Sequence, residues 1–352
     1  MPFVGPEALE RRHGTKIRLR LGANESRFGI SPLAREALQR HIDRVSDYGD
    51  PENDDLRIEL ARIHGVDRNN VVVASGIDDL LGLVARAFLG DGGIAVTSRG
   101  SYPTFNYHAV GYGGSLREVP YAGDMLDLKG LVHTSQIEGA RVLYVANPDN
   151  PAGTFHGRRA IQELVSLLPD ECVLLLDEAY ADFAPADELL PMDVEDWRLI
   201  RVRTFSKAHG LAGLRIGYAI VHDAIAAAFE KVRLHFGVNG AAQVAALASL
   251  RDVDFTNAVV RAVEQGRDEY AALAGALGLR ALPSKTNFVT MHVGSPDVKR
   301  LLLERLVHRG VFLRGGTQPP LDACIRVTVG TPDERKLFAE LLRDVLPGVV
   351  SR

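Results

Sequence analysis

The stretch "RTFSKAHGLAGLRIGY", Arg203 to Tyr218, sets one lysine, Lys207, after two hydroxyl residues and before three glycines, with an arginine eight residues on. A surface lysine needs no such surroundings. A nucleophilic lysine must be neutral, and burial or nearby cations lower its pKa; Arg203 and Arg215 are close in sequence. Thr204, Ser206 and Arg215 offer two hydroxyls and a guanidinium fork, a donor set suited to a phosphate. The glycines let backbone turn tightly and approach a bulky ligand. The plain alternative is an exposed lysine on a basic loop.

The stretch lies within a long alternation of strands and helices. "VVVAS" runs into the helical "GIDDLLGLVARAFLG", where Leu80, Leu83, Val84 and Ala87 share one face. "GIAVTS", a helix around "YPTFNYHAVGYG", "RVLYVANP", the helix "RRAIQELVSLLP", "CVLLLDEAY", "LIRVRTFS" and "RIGYAIV" follow. Continuous apolar strands such as "VLLLD" fit a parallel sheet covered on both faces, so the reading is a doubly wound α/β domain. Residues 49–240 are expected to form it. Beyond it lie an Ala-rich helical region (241–280), "TNFVTMHV", "VKRLLLERLVHRG", a strand "VFLRGG", "CIRVTVG" and "PDERKLFAELLRDVL". This less regular order suggests a smaller α+β domain, 241–352, joined by residues 1–48 with their short strand "KIRLRL" and helix "PLAREALQRHI".

At 352 residues the chain exceeds what one hydrophobic core usually holds. A net charge of −4 without a basic run gives no support for nucleic-acid or anionic-membrane binding. Any small anion must therefore be held by a few local groups. Two cysteines, Cys172 and Cys324, lie apart in apolar contexts and read as buried hydrophobes, and no cysteine or histidine cluster indicates a metal. No signal peptide or membrane span is legible, so a cytoplasmic protein is expected.

In an open parallel sheet, ligands bind outside the carboxyl ends of the strands. Four strand ends here carry unusual residues: Ser75-Gly76 before Ile77-Asp78; "NPDNPAG" with Asn150; Asp177 with Tyr180 three residues on; and Thr204, Ser206 and Lys207. Each has an ordinary explanation. "SGIDD" can be a capped helix start, or a phosphate seat of free N–H groups and helix dipole. "NPDNPAG" can be turn chemistry, or can present the Asn150 carboxamide to a phenolate-like oxygen. "DEAYADF" can be a capped loop, but a carboxylate after "CVLLL" sits at the edge of a dry core and needs a strong partner, such as a protonated ring nitrogen. Converging on one rim, the groups describe a site for a phosphorylated pyridine aldehyde, pyridoxal 5'-phosphate.

On the motifs "LGANES", "SGIDDLL", "NPDNPAG", "DEAYADF", "TFSKAHGLAGLRIGY" and "CIRVTVGT", the chain resembles the fold-type-I pyridoxal-phosphate-dependent aminotransferases of class II, and within them the histidinol-phosphate aminotransferase branch. The resemblance implies a mostly parallel seven-stranded sheet with a smaller α+β domain. It implies that Lys207 is the Schiff-base lysine and proton shuttle, that Asp177 partners the pyridine nitrogen, and that Asn150 and Tyr180 donate to the ring oxygen. Tyr102 would stack on the ring. Gly76, Ile77, Asp78, Thr204, Ser206 and Arg215 would form the phosphate cup. Arg326 and Arg314 would hold the anionic parts of an amino donor such as glutamate and of an oxo-acid or phosphate-bearing acceptor, with Asn24 near the substrate. Tyr48 would reach a partner subunit's phosphate, implying a homodimer. The implied role is in histidine biosynthesis. Other branches remain open: an aminotransferase of aromatic or other amino acids, or a decarboxylase akin to the threonine-phosphate enzymes. The chain departs from the usual family spelling at Glu25-Ser26-Arg27-Phe28-Gly29, Ala152 and Ile77, and Arg27 is expected to influence which anion is accepted.

Overall fold

Apolar runs bounded by turn residues become the strands of a computed structural model that describes residues 4–350. In chain order the strands are β1 (Leu19–Arg20), β2 (Val71–Ala74), β3 (Ile94–Ser98), β4 (Ser115–Val119), β5 (Val142–Ala146), β6 (Val173–Asp177), β7 (Leu199–Thr204), β8 (Gly217–Val221), β9 (Arg280–Ala281), β10 (Phe288–His292), β11 (Val311–Phe312), β12 (Arg314–Gly315) and β13 (Cys324–Thr328). The main sheet has seven strands in the order β2-β8-β7-β6-β5-β3-β4. All its pairings are parallel except those of β8, which runs antiparallel to both β2 and β7. The carboxyl ends of β2, β5, β6 and β7 therefore share one edge.

Both faces of this sheet are covered, which is why β5 and β6 are apolar at nearly every position. One face packs on the helices Ile77–Phe88, Thr104–Gly111 and Asp223–Glu230, and the other on Leu128–Glu138 and Arg158–Ser166. The first of these helices buries Leu80, Leu83 and Val84 as its periodicity predicts, and also Ile77, Leu81 and Ala85. Ala87 of the expected face is exposed, because burial shifts to the side lying against both the sheet and the neighbouring helix.

A second, antiparallel sheet, β12-β13-β10-β9, packs on the helices Val253–Ala276, Pro296–His308 and Pro332–Val345. The expected strand "VFLRGG" is split. Its first half, β11, pairs with β1, and its second half, β12, pairs with β13, so the chain crosses between two sheets at Leu313. The helices Pro32–His41 and Gly240–Arg251 pack on each other and on the β2/β8 end of the main sheet rather than on the C-terminal layer. Their small apolar faces, Ala34 and Ala242, Ala245 and Ala246, permit that close approach. No helix among the described residues is long and apolar enough to cross a membrane, and no group of three or more His, Cys, Asp or Glu among them could hold a metal ion.

Behind the rim, Glu178 lies beneath the sheet edge with its side chain 2% exposed, bridging Arg201 at 2.6 Å and Arg203 at 3.0 Å. Burial alone would raise the Glu178 carboxyl, but the two guanidiniums outweigh it and hold it below its usual value. Removing one partner leaves charges buried and unpaired, so Glu178→Ala is expected to cost about 3–5 kcal/mol in urea unfolding. An unchanged unfolding midpoint would show that the cluster is not structural.

Candidate active site

The rim of the main sheet opens into a cleft of about 580 Å³ between the two sheets. Asn24, Ile77, Asp78, Tyr102, Asn150, Asp177, Tyr180, Thr204, Ser206, Lys207, Arg215, Arg314 and Arg326 all line it. Gly76 immediately precedes the first helical residue of this lining. Tyr48 lies elsewhere, 82% exposed, with its ring 4.7 Å from that of Phe236.

Lys207 is half-buried and not on an open loop. Its Nζ donates to the Asn24 carbonyl at 3.2 Å and lies 5.4 Å from the centre of the Tyr180 ring. Burial, followed by the Arg326 charge, lowers the Lys207 amine to about 8. A substantial neutral fraction is thus available near physiological pH. Asn24 itself is buried: its Nδ2 donates to the Tyr180 hydroxyl at 2.8 Å and its Oδ1 accepts from Thr328 at 3.3 Å. Its side chain is engaged within the protein. Because the Tyr180 oxygen accepts from Asn24, the phenolic proton is free to be donated to a ligand.

Asp177 ends β6 at 4% exposure. Its Oδ2 accepts from the Tyr144 hydroxyl at 2.8 Å and its Oδ1 from the Ala179 N–H at 3.0 Å. Burial pushes the Asp177 carboxyl up to about 6 even against these bonds. A cation placed beside it would restore its ionised form, which is the behaviour expected of a partner for a protonated ring nitrogen. Nearby, Asp149 is pushed by burial to about 7; its Oδ2 accepts from Tyr121 at 2.9 Å and from the Ala152 N–H at 3.0 Å, fixing the "NPDNPAG" turn. Turn chemistry and a presented group therefore coexist: Asp149 builds the turn, and Asn150 faces the cleft, its Oδ1 accepting from Arg326 Nη1.

At the start of Ile77–Phe88, Gly76 is the N-cap, and no side chain caps the helix. The first N–H groups have no intrahelical partner, so the terminus is set up for an anion. Gly76 has φ +87°, and a Cβ there would lie 2.8 Å from an Arg215 guanidinium nitrogen. That guanidinium is held over the terminus by the Ala212 carbonyl at 3.0 Å and by an Asp78 contact at 3.4 Å. Both side chains of the latter pair are about half exposed, so the contact is weak and exchangeable. Thr204 Oγ1 bonds Ser206 Oγ at 2.9 Å beside it, completing a cup of N–H groups, hydroxyls and guanidinium. Tyr102 donates to Asp78 at 3.0 Å across the cleft.

Arg314 and Arg326 stand directly opposite each other in the β12–β13 register. Like charges at opposed positions destabilise a sheet, and an anion between them relieves that repulsion. Arg27 plays a different part from the one expected: it pairs with Glu334 at 2.5 Å, bracing the start of the helix Pro332–Val345, and does not line the cleft. The residues that sequence reasoning passed over are Tyr144, Asp149, Asn287 and Thr328. A single tyrosine in the otherwise aliphatic "VLYVA" was the signal for Tyr144, and the turn motif "NPDNPAG" was the signal for Asp149; Asn287 and Thr328 had none.

The family model described as aminotransferase class I and II matches residues 16–342. The chain belongs to the class I and II aminotransferases. It is 34% identical to histidinol-phosphate aminotransferase 2 of Carboxydothermus hydrogenoformans over 98% of this chain and 96% of that protein. A histidinol-phosphate aminotransferase of Roseiflexus castenholzii is also 34% identical, over 98% of this chain and 94% of that one. The crystal structure of histidinol-phosphate aminotransferase from Sinorhizobium meliloti in complex with pyridoxal-5'-phosphate superposes with a TM-score of 0.97 at 42% identity, covering 99% of this chain and 96% of that chain.

The buried acids of this aminotransferase give it a pH signature. Asp177 and Asp149 have folded pKa values above their unfolded ones, so between about pH 4 and pH 7 the native state binds more protons than the unfolded state. Their contribution to stability is favourable at low pH and is lost as pH rises. Ligand-free Asp177→Asn protein is therefore expected to melt at pH 7 at or above the temperature of the parent, and to lose that advantage as pH falls towards 4. A lower melting temperature at pH 7 would contradict the cost assigned to this carboxylate.

Proposed function

We propose that this aminotransferase uses pyridoxal 5'-phosphate to exchange an amino group between glutamate/2-oxoglutarate and histidinol phosphate/imidazole-acetol phosphate, a step of histidine biosynthesis. The observation that carries the substrate reading is the pair of opposed arginines, Arg314 and Arg326, facing the same cleft as Lys207. Two guanidiniums in one pocket suit dianionic substrates, either a phosphate monoester or a dicarboxylate. The names of the relatives that align over nearly the whole chain support the same reading.

The residues present fit the cofactor. The uncapped helix start, with Thr204, Ser206 and Arg215, would hold its phosphate. Asp177 would hold the ring nitrogen, Asn150 and Tyr180 would donate to the ring oxygen, and Tyr102 would cover the ring face. When bound, the cofactor supplies an aldehyde and a protonated ring that withdraws electrons from the substrate's α-carbon. Lys207 would hold the aldehyde and, once displaced by the substrate amine, its free amine would take up and return the proton of the substrate α-carbon. Arg326 orients the substrate, steadied by Asn150 and by the Gly22 carbonyl at 3.0 Å. We place Tyr48 at a homodimer interface, where it would reach the partner's phosphate; Phe236, 53% exposed with its ring against that of Tyr48, gives an apolar surface that a second copy would cover.

Mixing the pyridoxal-phosphate-loaded enzyme with histidinol phosphate, glutamate or phenylalanine in turn tests the reading by the change in cofactor absorbance. Rapid conversion with the first two and slow conversion with phenylalanine is expected. Preference for phenylalanine would instead make the protein an aromatic aminotransferase, and carbon dioxide release without conversion would make it a decarboxylase. Lys207→Ala should lower turnover by roughly a thousandfold or more, whereas Arg314→Met should raise KM for the phosphorylated substrate by about tenfold without loss of melting temperature.

A further inference from the structure

Asn24 is held in an unusual backbone state by residues with no assigned role. Its φ is +55°, in the left-handed region that asparagine enters more readily than other non-glycine residues, and it is 1% exposed. The Asn24 N–H donates to Thr328 Oγ1 at 3.0 Å, and the same hydroxyl donates to Asn24 Oδ1 at 3.3 Å. The Asn24 carbonyl accepts from Asn287 Nδ2 at 3.0 Å and from Lys207 Nζ at 3.2 Å. Both lone pairs of this carbonyl are thus in use, one by a fixed amide and one by the lysine. Asn287 is 2% exposed and its own Oδ1 has no partner. The protein carries the cost of that orphaned oxygen, and among the described residues the side-chain bond obtained in return is the one to Asn24.

The loops carrying the two partners are also locked together. Gly210 packs so closely on the Gly29 carbonyl that a Cβ there would lie 2.1 Å from it. That close approach ties the loop after Lys207 to the loop after Asn24.

We infer that the Asn24 carbonyl, aimed by Asn287 and Thr328, is the resting point of the Lys207 amine whenever that amine is disengaged from the cofactor, so that Asn287 and Thr328 are positioning residues for the proton transfer. This rests on the cofactor reading above. A freed lysine that swings at random would have to find the substrate α-carbon anew in each cycle, whereas one anchored on a rigid carbonyl waits beside it. The carbonyl also stabilises the ammonium form after the lysine has taken up the proton. The charged groups facing the amine are Arg326 on β13, Asp78 in the helix Ile77–Phe88, Asp177 on β6 and Arg215 in the loop before β8, with the Tyr180 ring beside it. The substitutions proposed below change none of these.

The test uses the pyridoxal-phosphate-loaded enzyme in single turnovers with glutamate and with glutamate deuterated at the α-carbon, across a range of pH. Thr328→Val and Asn287→Ala are expected to slow the isotope-sensitive step about tenfold while leaving KM within about twofold. The acid limb of their pH–rate profiles should move to lower pH, because the ammonium loses a well-placed acceptor and its pKa falls. Thr328→Ser, which keeps the hydroxyl, should recover most of the rate and the parental profile. Unchanged isotope effects and pH profiles in the cofactor-loaded Thr328→Val and Asn287→Ala proteins would overturn the inference, as would failure of Thr328→Ser to recover them. Failure of the parent enzyme to bind pyridoxal phosphate or react with glutamate would instead sink the functional reading on which it depends.

Discussion

A single hydrogen bond, 3.2 Å from Lys207 to the carbonyl of Asn24, joins parts of the chain 183 residues apart and sets the geometry of everything around it. Lys207 follows a strand of the large parallel sheet, while Asn24 is tied to β13 of the small antiparallel sheet through Thr328. The cleft lies between these two layers, and residues of both line it. Parallel strands contribute groups at their carboxyl ends, and the antiparallel sheet contributes the two arginines opposite. Neither layer alone holds both the Lys207 amine and the opposed pair Arg314 and Arg326.

The site is electrostatically expensive, and its expense is informative. Two carboxyls, Asp149 and Asp177, are buried with their acidity suppressed, a lysine is held below its usual basicity, and two arginines oppose each other in register. Stability is supplied elsewhere, by apolar cores on both faces of the large sheet and by the paired Glu178–Arg201–Arg203 cluster just behind the rim. That cluster pairs opposite charges, whereas the charges of the cleft are hydrogen-bonded but hold shifted pKa values, the pattern of groups placed for a ligand.

Much of this was legible in the sequence, because strands buried on both faces announce themselves as unbroken apolar runs and their ends can be located to within a residue or two. Asn150, Asp177 and Lys207 stand where such runs stop, and all of them reach the cleft. What could not be read is whatever depends on pairing between distant segments. The division of "VFLRGG" between two sheets follows from which neighbour each half meets, and the docking of Pro32–His41 against Gly240–Arg251 follows from small residues that carry no distinctive pattern. Arg27 illustrates the same limit: its position beside the "ANES" motif suggested a substrate contact, but its partner Glu334 lies 307 residues away. Asn287 and Thr328 gave no signal because their importance lies in the backbone of another residue.

The central claim is that Lys207 is the amine that engages pyridoxal phosphate. Borohydride reduction of the cofactor-loaded enzyme, followed by proteolysis and mass spectrometry of the peptides, tests it most directly. The account predicts one phosphopyridoxyl adduct, on the peptide containing Lys207, and none when an amino donor has first converted the cofactor. An adduct on any other lysine, or a loaded enzyme with no adduct, would contradict it.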